Sequence, residues 1–351
     1  MNFEFRQRKI KPSIIALSIC IGLVLGTVFV LLGGYNVLEV YSYLIRGSLG
    51  SVSALSSTIR WTTAFLLCGI ASGIAFKGGM FNMGTEGQLY MGAISATLVG
   101  IYCKGLPAIA HIPLCMLAGM VAGAIWASIP ALLRVYWNTS EIVVTLMMNY
   151  IAINFTSFLV KEYFLTTGVF GDSLTTDELA ATARFPVFGG SPISFGFILG
   201  TLLVIAYILF FTKSKRGFEI KVSGVNPDFA KFSGISVNKV RISVMLMSGM
   251  VAGLAGAAEI MGVQGRFLSG FSPDFGTSGM LVALLGNSSG IGIYISAIFM
   301  GILKAGSLTL ERSAGVSRAL AVVIQALIIC IVSVKTLKVF DFKKKEGSGK
   351  E

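Results

Sequence analysis

Charge is scarce in this sequence. Asp, Glu, Lys and Arg make up 13% of its 351 residues against 54% hydrophobic ones, and the mean hydropathy is +0.82. No single water-soluble core can hide that much apolar side chain, so soluble globular classes are excluded and the chain reads as an integral membrane protein. Histidine occurs once, at His111, beside Pro113 at the start of an apolar run, where an interfacial polar role is expected. Cys20, Cys68, Cys103, Cys115 and Cys330 lie in or at the ends of apolar runs with no C-x-x-C spacing. One histidine builds no metal site, and such cysteines behave as small buried hydrophobes, so neither a metal centre nor a disulfide framework is expected. No carboxylate pair, no nucleophile with a base and no G-x-x-x-x-G-K-[ST] phosphate loop occurs, so no catalytic residue and no bound ATP are expected in this chain.

What fills the chain instead is a series of runs without Asp, Glu, Lys or Arg. They cover 13–32, 61–76, 87–103, 111–133, 142–160, 185–212, 242–258, 275–303 and 319–334. A helix needs roughly 20 apolar residues to cross a bilayer, and about 17 suffice, so most runs are one span each. The run 275–303 is too long: as one helix it would reach about 44 Å against a hydrocarbon core of about 30 Å. Gly286-Asn287-Ser288-Ser289-Gly290 has the composition of a turn and divides it into a short helix and a longer one. The expectation is an all-α polytopic protein of about ten spans, with the first run a retained anchor rather than a cleaved signal.

Lys and Arg in short loops mark the cytosolic side. They gather in a tail at 1–12, in an island at 213–241 and in a tail at 335–351, and ten spans put all three inside. The connection 161–193 carries Glu162, Asp172, Asp177 and Glu178 against Lys161 and Arg184 and reads as extracytoplasmic. The domain expectation is therefore one transmembrane unit, 13–334, between two basic cytosolic tails. Topology and attraction to anionic lipid headgroups account for the net charge of +12, and no nucleic acid partner is expected.

Gly69-x-x-x-Gly73, Gly119-x-x-x-Gly123 and Gly249-x-x-x-Gly253, with Gly256 nearby, have the spacing that lets membrane helices approach closely. Met83-Gly84-Thr85-Glu86-Gly87-Gln88-Leu89 echoes Phe275-Gly276-Thr277-Ser278-Gly279-Met280-Leu281, each after a small-residue helix. With the two preceding helices running in opposite directions, this is the signature of an inverted repeat of broken helices. Two roles fit Asn82, Glu86 and Gln88: helix-start chemistry with Thr85 or Asn82 as cap, or a gate on a translocation path, because ionisable groups at membrane depth usually face a cavity. Asn138-Thr139-Ser140-Glu141 reads as a capped helix start, and Asn149 and Asn154 as interhelical hydrogen-bonders that could also line the path.

Phe81-Asn82-Met83-Gly84-Thr85-Glu86-Gly87-Gln88 resembles the F-N-x-G-x-E-G-Q signature of permease subunits of ABC importers in the branched-chain amino acid, simple-sugar and nucleoside family. The segment from Asn138 to Ile151 resembles the N-E-V-(I/V)-x-T-x-M-x-N-Y-I stretch of the nucleoside branch, and Gly224-Val225-Asn226-Pro227, Ser248 to Gly256 and Val282 to Gly286 continue the likeness. Thr139-Ser140 before the Glu, and Ser288-Ser289 in place of the common Asn-Pro, depart from it. The resemblance implies a pore-forming subunit in a bacterial cytoplasmic membrane, powered by a cytosolic ATPase that carries the ATP and Mg. It further implies a second related permease and an extracytoplasmic binding lipoprotein delivering a nucleoside. Simple sugars and then branched-chain amino acids are the alternative cargoes, and an ion-coupled secondary transporter the alternative class. The segment 222–235 looks like the family's coupling helix between spans 6 and 7, with Gly224, Asn226, Pro227, Asp228, Phe229, Ala230, Phe232 and Gly234 as coupling residues and Pro227 at the first helical position. Phe81, Asn82, Glu86, Gln88 and Asn149 are the implied path or gate residues.

Overall fold

The computed structural model describes residues 34–166, 174–186 and 194–314, with Thr27, Val30 and Leu31. The expected last span, both tails and most of the first span lie outside the described residues. Those described form helices: α1 (Val37–Leu49), α2 (Val52–Lys77), α3 (Thr85–Tyr102), α4 (Ala108–Trp137), α5 (Glu141–Leu159), α6 (Phe195–Lys213), α7 (Lys215–Val225), α8 (Pro227–Phe232), α9 (Val237–Glu259), α10 (Phe275–Leu285) and α11 (Gly290–Ala314). Single π turns, Val160–Phe164 and Ile260–Gln264, prolong α5 and α9. No strand occurs among the described residues, only one isolated bridge between Thr175 and Leu268. The chain divides into a unit built on 59–301 and a smaller one built on the residues up to 58 and from 302 onward. In the smaller unit α1 is capped by Asn36, whose Oδ1 accepts from the Leu38 N–H at 3.0 Å, and Thr58 donates to the Ser48 carbonyl at 2.7 Å.

Among the described residues, six helices are long and apolar enough to cross a membrane: Val52–Lys77, Ala108–Trp137, Glu141–Phe164, Phe195–Lys213, Val237–Gln264 and Gly290–Glu311. Several boundaries differ from the charge-free runs. Helix α4 runs from Ala108 to Trp137 through Pro113 and Pro130, α9 starts at Val237 inside the stretch read as a cytosolic island, and α6 starts only at Phe195. Residues 185 and 186, read as part of a span, belong to a surface strap instead, where the Phe185 N–H reaches the Met261 carbonyl at 3.0 Å. The run 275–303 breaks where expected, and Asn287 and Ser288 both adopt left-handed backbone with φ of 49°. Tyr207 on α6 holds that turn by donating to the Ser288 carbonyl at 2.7 Å.

Helix α4 shows how such helices are built. Leu114, Leu117, Val121, Ile125, Ile129 and Leu132 recur every three or four residues and are exposed, whereas Cys115, Gly119, Gly123, Ala127 and Ala131 recur every four and are buried. A water-soluble helix would reverse this, but in a membrane the bulky apolar stripe belongs to lipid and the small stripe to the neighbouring helix. That neighbour is α9. A methyl group on Gly123 would overlap the Gly249 carbonyl oxygen and stand 2.8 Å from Gly253 Cα, and one on Gly249 would stand 2.5 Å from Ala127 Cβ. The third member is α3, where Gly92 meets the backbone of Gly253 and Leu89 that of Gly256. Gly119-x-x-x-Gly123 and Gly249-x-x-x-Gly253 are therefore two sides of one seam. Helix α3 carries Thr85, Glu86 and Gln88 yet is buried along nearly its whole length, because it is sheathed by protein and not by lipid.

Candidate functional site

The start of α3 organises the most polar part of the interior. Asn82 is fully buried and donates from Nδ2 to Gln88 Oε1 at 3.0 Å and to Ser248 Oγ on α9 at 2.8 Å, while its Oδ1 accepts from the Gly84 N–H at 2.9 Å and from Gln88 Nε2 at 3.2 Å. Ser248 passes its own proton to the Ala71 carbonyl on α2 at 2.7 Å. From α5, Asn149 accepts from the Gly87 N–H at 2.8 Å and donates to the Met83 carbonyl at 2.8 Å, and Thr145 Oγ1 accepts from the Met83 N–H at 3.2 Å. Residues of four elements thus satisfy the polar groups of one non-helical segment, which is what buried backbone requires. Phe81 lies beside this knot, partly buried, with its ring 4.8 Å from that of Phe76.

Of the two roles expected for Glu86, a gate on the path or the start of its own helix with Thr85 or Asn82 as cap, the second does not take the expected form. The N-cap residue is Gly84 and offers no side-chain acceptor; the Glu86 carboxylate reaches across to α10. Its Oε2 accepts from the Gly276 N–H at 2.5 Å, and the Ser272 hydroxyl is a further hydrogen-bond partner. Gly276 has no room for a side chain, since a methyl group there would overlap the Glu86 nitrogen and stand 2.7 Å from its Cα. The first turns of α3 and α10 therefore abut, and one carboxylate, 5% exposed, sits where two positive helix ends converge. Trp61 and Phe65 of α2 close the far side against Phe275, with ring centroids 5.5 and 6.1 Å away.

Two further carboxylates form ion pairs. Glu259, the last residue of α9, accepts from Arg60 of α2 at 2.9 Å and from Gln264 at 3.3 Å, and the Arg60 guanidinium also lies 5.6 Å from the Trp61 ring centre. Glu141 opens α5 and bonds Arg134 of α4 at 2.9 Å, while Ser140 provides no side-chain cap and Asn138 instead ends α4 in left-handed backbone, φ 52°. Asn154 is not interhelical: it donates to the Tyr150 carbonyl of its own helix at 2.8 Å.

His111, expected at an interface, is fully buried and anchors the strap 174–186. Its Nε2 donates to the Val99 carbonyl at 3.2 Å, and its Nδ1 bonds the Thr182 hydroxyl at 2.9 Å. The strap is tied further by the Thr176 N–H to the Phe267 carbonyl at 3.1 Å and the Leu179 N–H to the Gly265 carbonyl at 2.9 Å. Exposed Glu178 accepts from Arg266 and, at 2.7 Å, from Arg184, and the Arg266 charge foremost holds its carboxyl below the usual carboxylate range. His111→Ala is expected to remove two hydrogen bonds, at about 1–2 kcal/mol together, and so to speed amide exchange across Leu179 to Phe185 on the order of tenfold, leaving α9 unchanged.

At the other end of α6, α7 and α8 form a bent pair. Asn226 caps α8 through the Phe229 N–H at 2.9 Å, Pro227 is its first residue and Asp228 stands in its first turn. Gly234, φ +79°, ends it, with the Ile235 N–H returning to the Ala230 carbonyl at 2.9 Å. Phe229 and Phe232 point outward, 59% and 93% exposed, but Ala230 is fully buried. Ala230 therefore seats the helix, while the two phenylalanines face outward where a partner can meet them. Gly224 lies in the last turn of α7 and packs on the turn that follows α2.

Apolar helices closed on one another by glycine seams, around a buried polar knot, define a multi-pass helical membrane protein. Residues 54–333 match the family described as Branched-chain amino acid transport system / permease component, and the chain belongs to that family, whose members transport rather than catalyse. It is 34% identical over 322 residues to a guanosine ABC transporter permease protein, NupP, of Bacillus subtilis, covering 90% of this chain and 91% of that one. It is 33% identical to a nucleoside ABC transporter permease protein, NupB, of Lactococcus lactis (94% and 92% covered). The same identity holds to a glucose ABC transporter permease protein, TsgB13, of Haloferax volcanii (94% and 90%). Both bacteria also hold a second nucleoside or guanosine permease protein that is 23% identical to this chain.

Proposed function

We propose that this chain is the pore-forming subunit of an ATP-driven importer of nucleosides. The observation that carries the reading is the near full-length likeness to two permeases of nucleoside and guanosine transporters. In this reading the chain has ten spans in a bacterial cytoplasmic membrane, with both termini cytosolic. It holds no cofactor; ATP and Mg reside on a cytosolic ATPase, whose groove receives α8 through Phe229 and Phe232. A second, related permease completes the pore, as the paired relatives in two bacteria suggest, and an extracytoplasmic lipoprotein delivers the cargo. Phe81, Asn82, Glu86, Gln88 and Asn149 act on the path as one stiff block at the start of α3, which pairs with α10 as the two broken helices of an inverted repeat. The glucose relative favours simple sugars as the second reading.

The test is uptake of labelled guanosine in cells lacking the gene and in cells with it restored, with unlabelled adenosine, uridine, glucose, ribose and leucine as competitors. Gene-dependent uptake blocked by nucleosides is expected; uptake blocked by glucose or ribose alone replaces the cargo, and gene-dependent uptake indifferent to ATP depletion rejects the importer. Phe232→Asp is expected to lower uptake at least tenfold and to reduce the ATPase that co-purifies, at unchanged membrane abundance. A charge there meets the partner, since the side chain touches little of its own protein.

A further inference from the structure

Between the cytosolic helix pair and the polar knot lies one backbone contact without side chains. Gly79, in the turn after α2, has φ +71°, and a Cβ on it would stand 3.0 Å from Gly224 Cα and 3.2 Å from its carbonyl oxygen. In return, a Cβ on Gly224 would stand 2.8 Å from the Gly79 nitrogen and 2.9 Å from the Gly78 carbonyl carbon, and would overlap the Lys77 carbonyl oxygen. Two residues beyond Gly224, Asn226 caps α8; three residues beyond Gly79, Asn82 enters the knot that fixes the start of α3, and Glu86 ties that start to α10. The seat thus lies within a few residues both of the cap that starts α8 and of the knot that fixes the start of α3.

Local chemistry does not favour the seat. Lys221 lies close enough to Lys77 for the two charges to repel, and the Ser223 hydroxyl beside Gly224 is buried without a hydrogen-bond partner among the described residues. A buried unpartnered hydroxyl disfavours the arrangement that buries it. The seat is therefore held by the fit of backbone on backbone rather than by local side-chain chemistry.

We propose that the Gly79–Gly224 seat is the mechanical joint through which displacement of α7 and α8 moves the start of α3, making both glycines positioning residues for transport. This rests on the importer reading above. The joint works because backbone seated on backbone has no side chain to yield: α7 cannot shift without carrying the turn at 78–82 with it.

The test uses the full chain in membranes together with the ATPase that co-purifies with it. Gly79→Ala, whose Cβ would press on Gly224 at 3.0–3.2 Å from the other side of the seat, is expected to leave membrane abundance, ATPase co-purification and ATP hydrolysis within twofold of the wild type while lowering uptake at least tenfold. Uptake within twofold, or loss of uptake matched by equal loss of assembled complex, overturns the joint. Amide exchange on the unmodified protein gives an independent reading: segments 77–83 and 218–226 are expected to change protection together on adding ATP, and a change at 218–226 alone overturns the proposal. If the wild-type chain brings down no ATPase and its uptake ignores ATP, the importer reading falls first and the joint falls with it.

Discussion

Glu86→Ala is expected to abolish uptake and to raise the labelling rate of Cys68 by at least a hundredfold in a chain whose other cysteines are serine. Cys68 is fully buried on α2, against Gly279 of α10, so its reactivity reports separation of those helices. Removing the carboxylate leaves the Gly276 N–H without its acceptor, which costs about 1–3 kcal/mol for a buried donor. It also leaves two positive helix ends facing each other without the anion between them, up to about 2 kcal/mol in a buried geometry. Together these amount to about 1–5 kcal/mol, and a hundredfold rise in labelling takes about 2.7 kcal/mol of opening free energy. Glu86→Gln separates the terms: its amide oxygen still accepts from Gly276 but carries no charge, so an intermediate labelling rate is expected. A variant that loses uptake while Cys68 stays as protected as in the wild type would make Glu86 a group that meets the cargo, and would end its role as a strut.

Part of what local chemistry determines was readable from the sequence, although neither α3 nor α5 takes the side-chain cap that its first residues suggested. The turn at 286–290 and the start of α8 at Asn226-Pro227 stand where the residues place them, because glycine, asparagine and proline act on their own backbone. Within the described residues the apolar runs fall largely within helices. What could not be read was which distant group each polar residue meets. Glu86 looked like a first-turn acid because it is one; its partner Gly276 lies 190 positions away, and only the echo between the two helix starts hinted that they belong together. Glu259 ends α9, but its pairing with Arg60 left no local trace. Ala230 matched a coupling motif and so looked like a contact residue, whereas burial decides that it seats the helix and Phe232 faces outward. His111 beside a proline looked interfacial because the strap that covers it comes from residues 174–186. The family match supports the permease reading directly, while the roles of single residues on the path rest on the variants described here.

Gly253→Val is expected to prevent accumulation of folded protein, cutting the monodisperse fraction recovered from membranes at least tenfold. Gly253 is the point where three helices share one residue: a Cβ on it would overlap the Gly119 carbonyl oxygen and stand 3.0 Å from Gly119 carbon and 3.1 Å from Gly123 Cα, while Gly92 of α3 packs on its backbone from the other side. No rotamer relieves an overlap with backbone, so the helices must separate. In lipid that is worse than in water, because no hydrophobic force draws helices together and close dispersion contact is most of what holds the seam. Gly119→Ala is the graded case: its methyl would meet Ala257 Cβ at 2.9 Å and the Gly253 carbonyl oxygen at 3.0 Å, for a cost of about 1–3 kcal/mol by overpacking. Val121→Leu, on the exposed face of the same helix, adds comparable bulk toward lipid and is expected to change nothing. Recovery of Gly253→Val at wild-type levels would mean that α4 and α9 do not meet through their glycines. Equal damage from Val121→Leu would mean that the exposed stripe of α4 is packed against protein, and the seam would then no longer distinguish the helix's two faces.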